Sequence, residues 1–169
     1  MFSFLKKNNK NQNKKKEEVI IENSVFGKLK YVYTWWSFDR IDINMFGKTY
    51  SVIYSVASNA QKEAPNEVQE RAFKKFLAEK EQLQRDAEKI ILEEIKLDDS
   101  CEISDVINVV EVCISIDGKC GIALEIKEEY LDDIDLDELD ITPDNSFGAS
   151  LFPELKLIKS SDIFDEIFK

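Results

Sequence analysis

The chain of 169 residues contains no histidine. This absence excludes Ser-His-Asp and Cys-His catalysis, and it removes the commonest zinc ligand and the usual general base near neutral pH. Cysteine is scarce as well, since only Cys101, Cys113 and Cys120 are present and they form no C-x-x-C pair. An odd number of cysteines does not suggest a disulfide framework. We therefore expect reduced thiols, no metal site and no cofactor.

Long apolar runs and nucleotide-binding motifs are also missing. No stretch approaches the roughly 20 apolar residues of a membrane span, and the five residues that open the chain are too few for a signal-peptide core. No Walker loop, GxGxxG, GxSxG or HExxH motif occurs. The net charge of −11 argues against binding duplex nucleic acid through its phosphates, although it permits a basic partner. We expect a cytoplasmic protein without a membrane span.

Residues 65–96 contain the long helical pattern of the chain. Pro65 and Asn66 are both suitable at a helix start. No glycine or proline interrupts the segment after Pro65, and a helix of this length would be roughly 45 Å long. It must therefore project from the domain, cover an extended sheet or break near Lys80. The apolar residues at three- and four-residue steps fall on one stripe, which we expect to pack in the core: Ala72, Phe73, Phe76, Leu77, Leu83, Ala87, Ile90 and Ile91.

The segments on either side of this helix have the composition and alternation of β-strands. Strands are predicted over residues 25–33, 40–46 and 49–57 before the helix, and over 108–116, 120–126 and 149–158 after it. Asp117-Gly118-Lys119 predicts a hairpin turn, and Pro153 demotes part of the last strand to an edge or bulge. The predicted fold class is α+β, with an antiparallel sheet (an N-terminal meander plus a C-terminal hairpin) packed against one long helix.

The first 18 residues differ from the rest of the chain. They hold six lysines and two glutamates, have no apolar period and carry a net charge of +4. Such a segment cannot bury enough surface to fold, so we predict a disordered basic tail over residues 1–18. Residues 19–169 are predicted to form a single α+β domain.

Two adjacent tryptophans, Trp35 and Trp36, precede the second predicted strand. In an extended chain they point to opposite faces of the sheet. We expect one of them to lie in the core. The other is a candidate contact residue, because tryptophan is enriched at binding hot spots.

An acidic segment, residues 125–144, holds ten carboxylates and one base, Lys127. Asp133, Asp135 and Asp137 match the first ligands of a calcium loop, but the sixth position, which needs glycine, is Glu138. The segment is therefore either a solvated loop or a surface that steers a basic partner. The candidate partner-binding residues, with no catalytic or metal-binding residue among them, are Trp35, Trp36, Asp132, Asp133, Asp135, Asp137, Glu138 and Asp140.

The order of motifs resembles a known bacterial family. Phe26-Gly27-x-Leu29 is followed by strands with aromatic residues, then by Gln69-x-x-Ala72-Phe73-x-x-Phe76-Leu77 at the start of the helix, and finally by Phe147-Gly148. This order resembles the DUF6985 type of domain of unknown function and, more loosely, the DUF2004-like proteins. Small acidic proteins of this kind are similar to bacterial immunity proteins, which implies a non-enzymatic inhibitor that binds one toxin domain.

These observations favour a cytoplasmic protein-binding module that presents an acidic surface to a basic protein, such as a cognate toxin domain. Two alternatives remain open. One is a hydrolase that uses carboxylates and a metal ion. The other is a structural homo-oligomer, for instance a homodimer joined through the projecting end of the helix.

Overall fold

The computed structural model describes residues 18–32, 34–59, 62–96, 101–132, 134, 136, 145–159 and 166, without the side chain of Asp39. The predicted basic tail lies outside these residues except for Glu18, and so does the terminal segment 161–169 except for Glu166.

The described residues form one sheet of eight strands in chain order, β1 to β8. All neighbouring strands are antiparallel except β4 and β5. The predicted antiparallel sheet packed against one long helix is confirmed. The strands are β1 (Ile20–Asn23), β2 (Gly27–Val32), β3 (Trp35–Met45), β4 (Lys48–Ala57), β5 (Ile107–Ile114), β6 (Cys120–Ile126), β7 (Ser146–Phe152) and β8 (Lys156–Ile158).

The parallel pair joins the two halves of the sheet. Ile53 of β4 lies opposite Glu111 of β5, and Val56 lies opposite Ile114. The connection between these strands is the long helix, which returns the chain to the end of the sheet where β4 began, so β5 runs in the same direction as β4. The sheet is therefore continuous from the N-terminal meander to the C-terminal strands.

The long helix, α1, spans Glu67–Ile95 without a break at Lys80. Its start is fixed by a capping box in which Asn66 Oδ1 accepts from the backbone N–H groups of Val68 and Gln69, while Gln69 Oε1 accepts from the Asn66 backbone N–H. The helix ends at Lys96, which has a left-handed backbone. Of the three options for so long a helix, α1 takes the second and covers the sheet.

The N-terminal half of α1 packs on aromatic residues of the meander. The Phe73 ring lies 4.9 Å from Phe26 and 5.5 Å from Tyr54 between ring centroids, and Phe76 is fully buried. The prediction was wrong for Leu77, which is 52% exposed. Leu77 is one residue after Phe76 and so is rotated by about 100° from it, which places it at the margin of the buried stripe.

Several boundaries differ from the predicted ones. The sequence pattern missed β1, and the connector after α1 contains a short helix, α2 (Ile103–Val106). A 3-10 turn covers Glu128–Tyr130. The last predicted strand is divided by Pro153 into β7 and β8, because proline cannot donate a hydrogen bond to the ladder.

Gly118, in the β5–β6 turn, gives a stability prediction. Its φ is +84°, and an added Cβ would lie 2.7 Å from Val68 Cγ1 and 3.3 Å from the Val68 carbonyl oxygen. We expect Gly118→Ala to lower the free energy of unfolding by about 1–2 kcal/mol for the positive φ, plus about 1–3 kcal/mol for the overpacking against α1. Denaturant unfolding measures the sum.

Gly47→Ala is the matched control for this substitution. Gly47 has a φ of +76° with nothing within 4 Å of an added Cβ, so it incurs the backbone strain alone. If the two variants lose the same stability, the hairpin turn is not pressed against α1 as the structure places it.

Candidate functional site

The acidic segment begins at the end of β6. Ile126 pairs with Ile107, the first residue of β5, so the segment starts at the end of the sheet where β4 and β5 begin. Of the candidate residues in this segment, Asp132 is described and is exposed. Asp133, Asp135, Asp137, Glu138 and Asp140 lie outside the described residues.

Lys127, the base of the acidic segment, is bound to the protein's own backbone. Its Nζ donates to the carbonyl oxygens of Ser104 at 2.9 Å and Asp105 at 2.8 Å, in the last turn of α2. Lys48 Nζ donates to the same Ser104 oxygen at 3.1 Å and to Asp105 Oδ1 at 2.5 Å. Carbonyls at a helix C-terminus carry partial negative charge and attract cations, so both lysines stabilise α2.

The two lysines lower the pKa of the Asp105 carboxyl. The hydrogen bond from Lys48, reinforced by the charges of Lys48 and Lys127, holds the pKa of Asp105 below its ordinary value of 3.8. Asp105 is therefore ionised at neutral pH and attracts the positive charge of both lysines. The two ammonium groups are directed towards α2 rather than towards the acidic segment.

The described carboxylates of the acidic segment are consequently not neutralised. Within the part of the chain that the structure describes, none of them forms an ion pair. They surround Lys127 in sequence, yet its Nζ is bound to the Ser104 and Asp105 carbonyls. The exposed carboxylates are those of Glu125, Glu128, Glu129 and Asp132.

The two tryptophans do point to opposite faces, but only one is a possible contact. Trp36 is completely buried, its ring centroid lies 5.2 Å from that of Tyr31, and its Nε1–H donates to the Glu63 carbonyl oxygen at 2.6 Å. Trp36 is therefore a core residue, and its prediction as a partner-binding residue is corrected. Trp35 is partly exposed and remains a candidate.

Trp35 and the start of the acidic segment lie at opposite ends of the sheet. Trp35 pairs with Ala57 at the far end of β4, whereas the acidic segment starts beside the first residues of β4 and β5. Ten residues of β4 separate the two ends, a distance of about 30 Å. Trp35 is therefore far from the strand end at which the acidic segment begins.

A second group of polar residues lies on the sheet face away from α1. Ser55 and Cys113 are opposite each other and completely buried, and Glu111 is two residues before Cys113 on the same face. Burial raises the pKa of the Glu111 carboxyl. Burial, with the nearby Glu111 charge, raises the pKa of the Cys113 thiol well above 9.0, so this thiol is not an activated nucleophile.

Glu111 gives a pH-dependent prediction. Because its pKa is raised by folding, the folded state binds the proton more tightly than the unfolded state, and the ionised carboxyl destabilises the protein above that pKa. We expect Glu111→Gln to raise the melting temperature at pH 7. The gain should shrink as the pH falls and vanish below pH 4.5, where the carboxyl is protonated in both states.

The matched control is Glu81→Gln on the exposed face of α1, which should leave the melting temperature nearly unchanged at both pH values. A Glu111→Gln variant that is less stable than the parent protein at pH 7 would show that the carboxylate is stabilised by its surroundings.

The remaining features that could indicate a function are a pocket, a metal site and a membrane-spanning helix. A pocket of about 580 Å³ runs along α1, and its described lining, from Leu77 to Arg85, includes no residue of the acidic segment. Among the described side chains, no group of three or more Cys, Asp or Glu residues is arranged to hold a metal ion. None of the described helices has an apolar stretch long enough to cross a membrane.

The fold and this surface define the class of protein: a small α+β domain whose described residues form an eight-stranded sheet, one covering helix and exposed carboxylates where the acidic segment begins. The chain belongs to the family described as domain of unknown function (DUF6985), whose model matches residues 25–149. This range covers most of the chain, including β2 to β6, α1 and the acidic segment. Searches of curated proteins and of solved structures returned no match.

The residues that hold Lys127 away from the neighbouring carboxylates are not indicated by the sequence. Ser104 and Asp105 lie between the predicted helix and the strand predicted over residues 108–116, and they act through backbone carbonyls, which any residue type carries. Lys48 is 79 positions before Lys127, and nothing in either local sequence indicates that they meet at α2. The one indication in the sequence was that Lys127 is the single basic residue among ten acidic residues in 125–144.

Proposed function

We propose that this protein is a non-enzymatic binding module that holds a basic partner protein through the acidic segment 125–144. The observation that carries this proposal is the position of Lys127, whose ammonium group is bound to the α2 carbonyls at 2.8 and 2.9 Å. The neighbouring carboxylates are exposed and have no ion pair within the described chain. An acidic surface whose described carboxylates have no described counter-charge attracts a basic partner.

The energetic argument concerns repulsion in the free protein. Clustered carboxylates repel one another, and this repulsion costs free energy that a covering basic surface removes on binding. Charge complementarity of this kind acts mainly on the rate of association. A fast encounter suits an inhibitor that must reach its target before the target acts.

The partner that we propose is a toxin domain, which the protein neutralises by occupying its basic surface in the cytoplasm. The support for this choice is the charge of the acidic segment together with the likeness of the chain to small acidic immunity proteins. Trp35 lies about 30 Å from the strand end at which the segment begins, and we do not include it in the proposed surface.

The experiment is a binding assay between this protein and the protein encoded by the neighbouring gene, tested by co-purification and calorimetry. A stoichiometric complex that weakens as the salt concentration rises is the expected result, because exposed charges are screened by salt. Absence of a complex at low salt, with a folded partner, would contradict the proposal.

The hydrolase alternative makes a different prediction. It requires carboxylates that converge on a metal ion, and calorimetric titration with Mg²⁺, Mn²⁺ and Ca²⁺ tests it directly. Binding at a defined stoichiometry that Asp133→Asn or Asp135→Asn abolishes would favour the hydrolase over the binding module.

A further inference from the structure

Strand β3 extends well beyond the strand that flanks it. It has 11 residues, but β2 pairs only with Trp35, Trp36 and Ser37. Within the described part of the chain, no strand pairs with the outer edge of β3 from residue 40 to residue 45. An open edge presents unpaired N–H and C=O groups and is a template for another strand.

The turn after β3 determines which backbone groups face this open edge. Phe46 and Gly47 connect β3 to β4, and both have positive φ values, 47° and 76°, as in a two-residue type I′ turn. In such a hairpin, Met45 and Lys48 exchange two hydrogen bonds, and bonded pairs then alternate along the ladder. The backbone groups of Ile43 therefore bond to β4, and those of Asp42 and Asn44 point outward.

Two exposed polar side chains, Asp42 and Asn44, belong to this part of β3. Thr49 Oγ1, on β4, donates to Asn44 Oδ1 at 2.6 Å, and the Asn44 Nδ2 group donates to no described residue. Asp42 is exposed and has no ion pair among the described residues. Ile41, on the opposite face of β3, is 44% exposed although its strand partner Val52 is completely buried.

We propose that the outer edge of β3 pairs with the same edge of a second copy of this chain, antiparallel about a two-fold axis at Ile43. Asp42 then lies opposite Asn44 of the second copy, and Asn44 opposite its Asp42. The outward backbone groups of these residues form the bonded pairs. Each Asn44 amide donates to an Asp42 carboxylate, and Ile41 faces Met45. The proposed interface consists of β3 residues, none of which belongs to the acidic segment, and it does not depend on the proposed function.

The choice of occupant and register follows from complementarity. A two-fold axis at Asp42 would place two carboxylates directly opposite each other, which is destabilising. An axis at Ile43 pairs each acceptor with a donor and requires no residue that β3 does not already supply. It also uses only the regular part of the strand, since the irregularity between Phe38 and Ile41 lies outside the paired residues. Self-complementarity of this kind is what a two-fold interface requires.

Sedimentation of the full chain at increasing concentration tests this proposal. We expect reversible dimers to form as the protein concentration rises towards about 1 mM. An interface with a dissociation constant of about 1 mM is half occupied at that concentration. Asn44→Asp opposes two carboxylates at each end of the pairing and should weaken self-association by about tenfold or more. The double variant Asp42→Asn/Asn44→Asp exchanges donor and acceptor and should restore it.

The control is Ala78→Glu on the exposed face of α1, which adds the same single negative charge away from β3 and should leave self-association unchanged. Because the double variant retains the added carboxylate of the single variant, its recovery separates loss of pairing from loss of folding. A parent protein that is monomeric throughout, or a double variant as weak as Asn44→Asp, would overturn the proposal.

Amide hydrogen exchange provides a second measurement. The Asp42 and Asn44 amides should gain protection as the protein concentration rises, because they donate only across the new interface. The Ile43 amide is already bonded to β4 and should be equally protected at all concentrations. Protection at Asp42 and Asn44 that does not change with concentration would also overturn the proposal.

Discussion

Replacing Phe73 by alanine is expected to lower the free energy of unfolding by about 3–5 kcal/mol. Phe73 is 7% exposed and lies at the centre of the contact between α1 and the meander, with its ring 4.9 Å from Phe26, 5.9 Å from Phe38 and 5.5 Å from Tyr54 between centroids. Alanine would remove the ring that connects α1 to β3, to β4 and to the turn that precedes β2. The cavity cannot be refilled without moving α1. Denaturant unfolding followed by circular dichroism measures the loss.

Leu77→Ala, one helical turn later, is the matched control. Leu77 is 52% exposed, so its truncation should change the stability by about 0.5 kcal/mol or less. A large loss at Leu77, or a loss at Phe73 no greater than that at Leu77, would mean that α1 is rotated relative to the sheet from the position described.

These two residues also show how far the sequence predicts the fold. The three- and four-residue spacing correctly predicted α1 and buried Phe73, because helix geometry is local. It also assigned Leu77 to the buried stripe, since the sequence does not show how wide the covered stripe is. That width depends on which strands lie beneath α1, a property of the whole sheet.

The same distinction applies to the strands. Alternating β-branched and aromatic residues predicted most of β3 to β6, because such residues favour pleated, half-buried surfaces. The parallel pairing of β4 with β5 was not predicted, since it follows from the path of the chain through α1. The open edge of β3 was not predicted either, because a strand's length relative to its neighbour is not written in its own residues.

The sequence predicts that negative charge is concentrated in residues 125–144, but it does not predict whether these residues form a binding surface. Composition located ten acids in residues 125–144, and sequence spacing could not decide between a solvated loop and a binding surface. What favours the second is the long-range contact of Lys127 with the carbonyls of α2. No local pattern indicates that contact, since its acceptors are backbone oxygens.

The second large effect is expected from neutralising the described carboxylates of the acidic segment. The triple variant Glu128→Gln/Glu129→Gln/Asp132→Asn removes three exposed negative charges that form no ion pair within the described chain. We expect its association with the basic partner to be about tenfold slower or more at low salt, because steering by surface charge changes association rates by about 10–10³-fold. The dissociation rate should change less.

The control variant Glu67→Gln/Glu79→Gln/Glu81→Gln removes the same amount of charge from the exposed face of α1. It should associate at nearly the parent rate, since its charges lie away from the proposed surface. Equal slowing by both triple variants would show that net charge, rather than the acidic segment, controls the encounter.

The most direct test of the central claim is the association rate with the neighbouring gene's product, measured by stopped flow as a function of ionic strength. If the carboxylates around Lys127 attract the partner, the parent protein should associate more slowly as salt is added, whereas the rate of the acidic-segment variant should be lower and less dependent on salt. Identical rates and salt dependences for the two proteins would contradict the account.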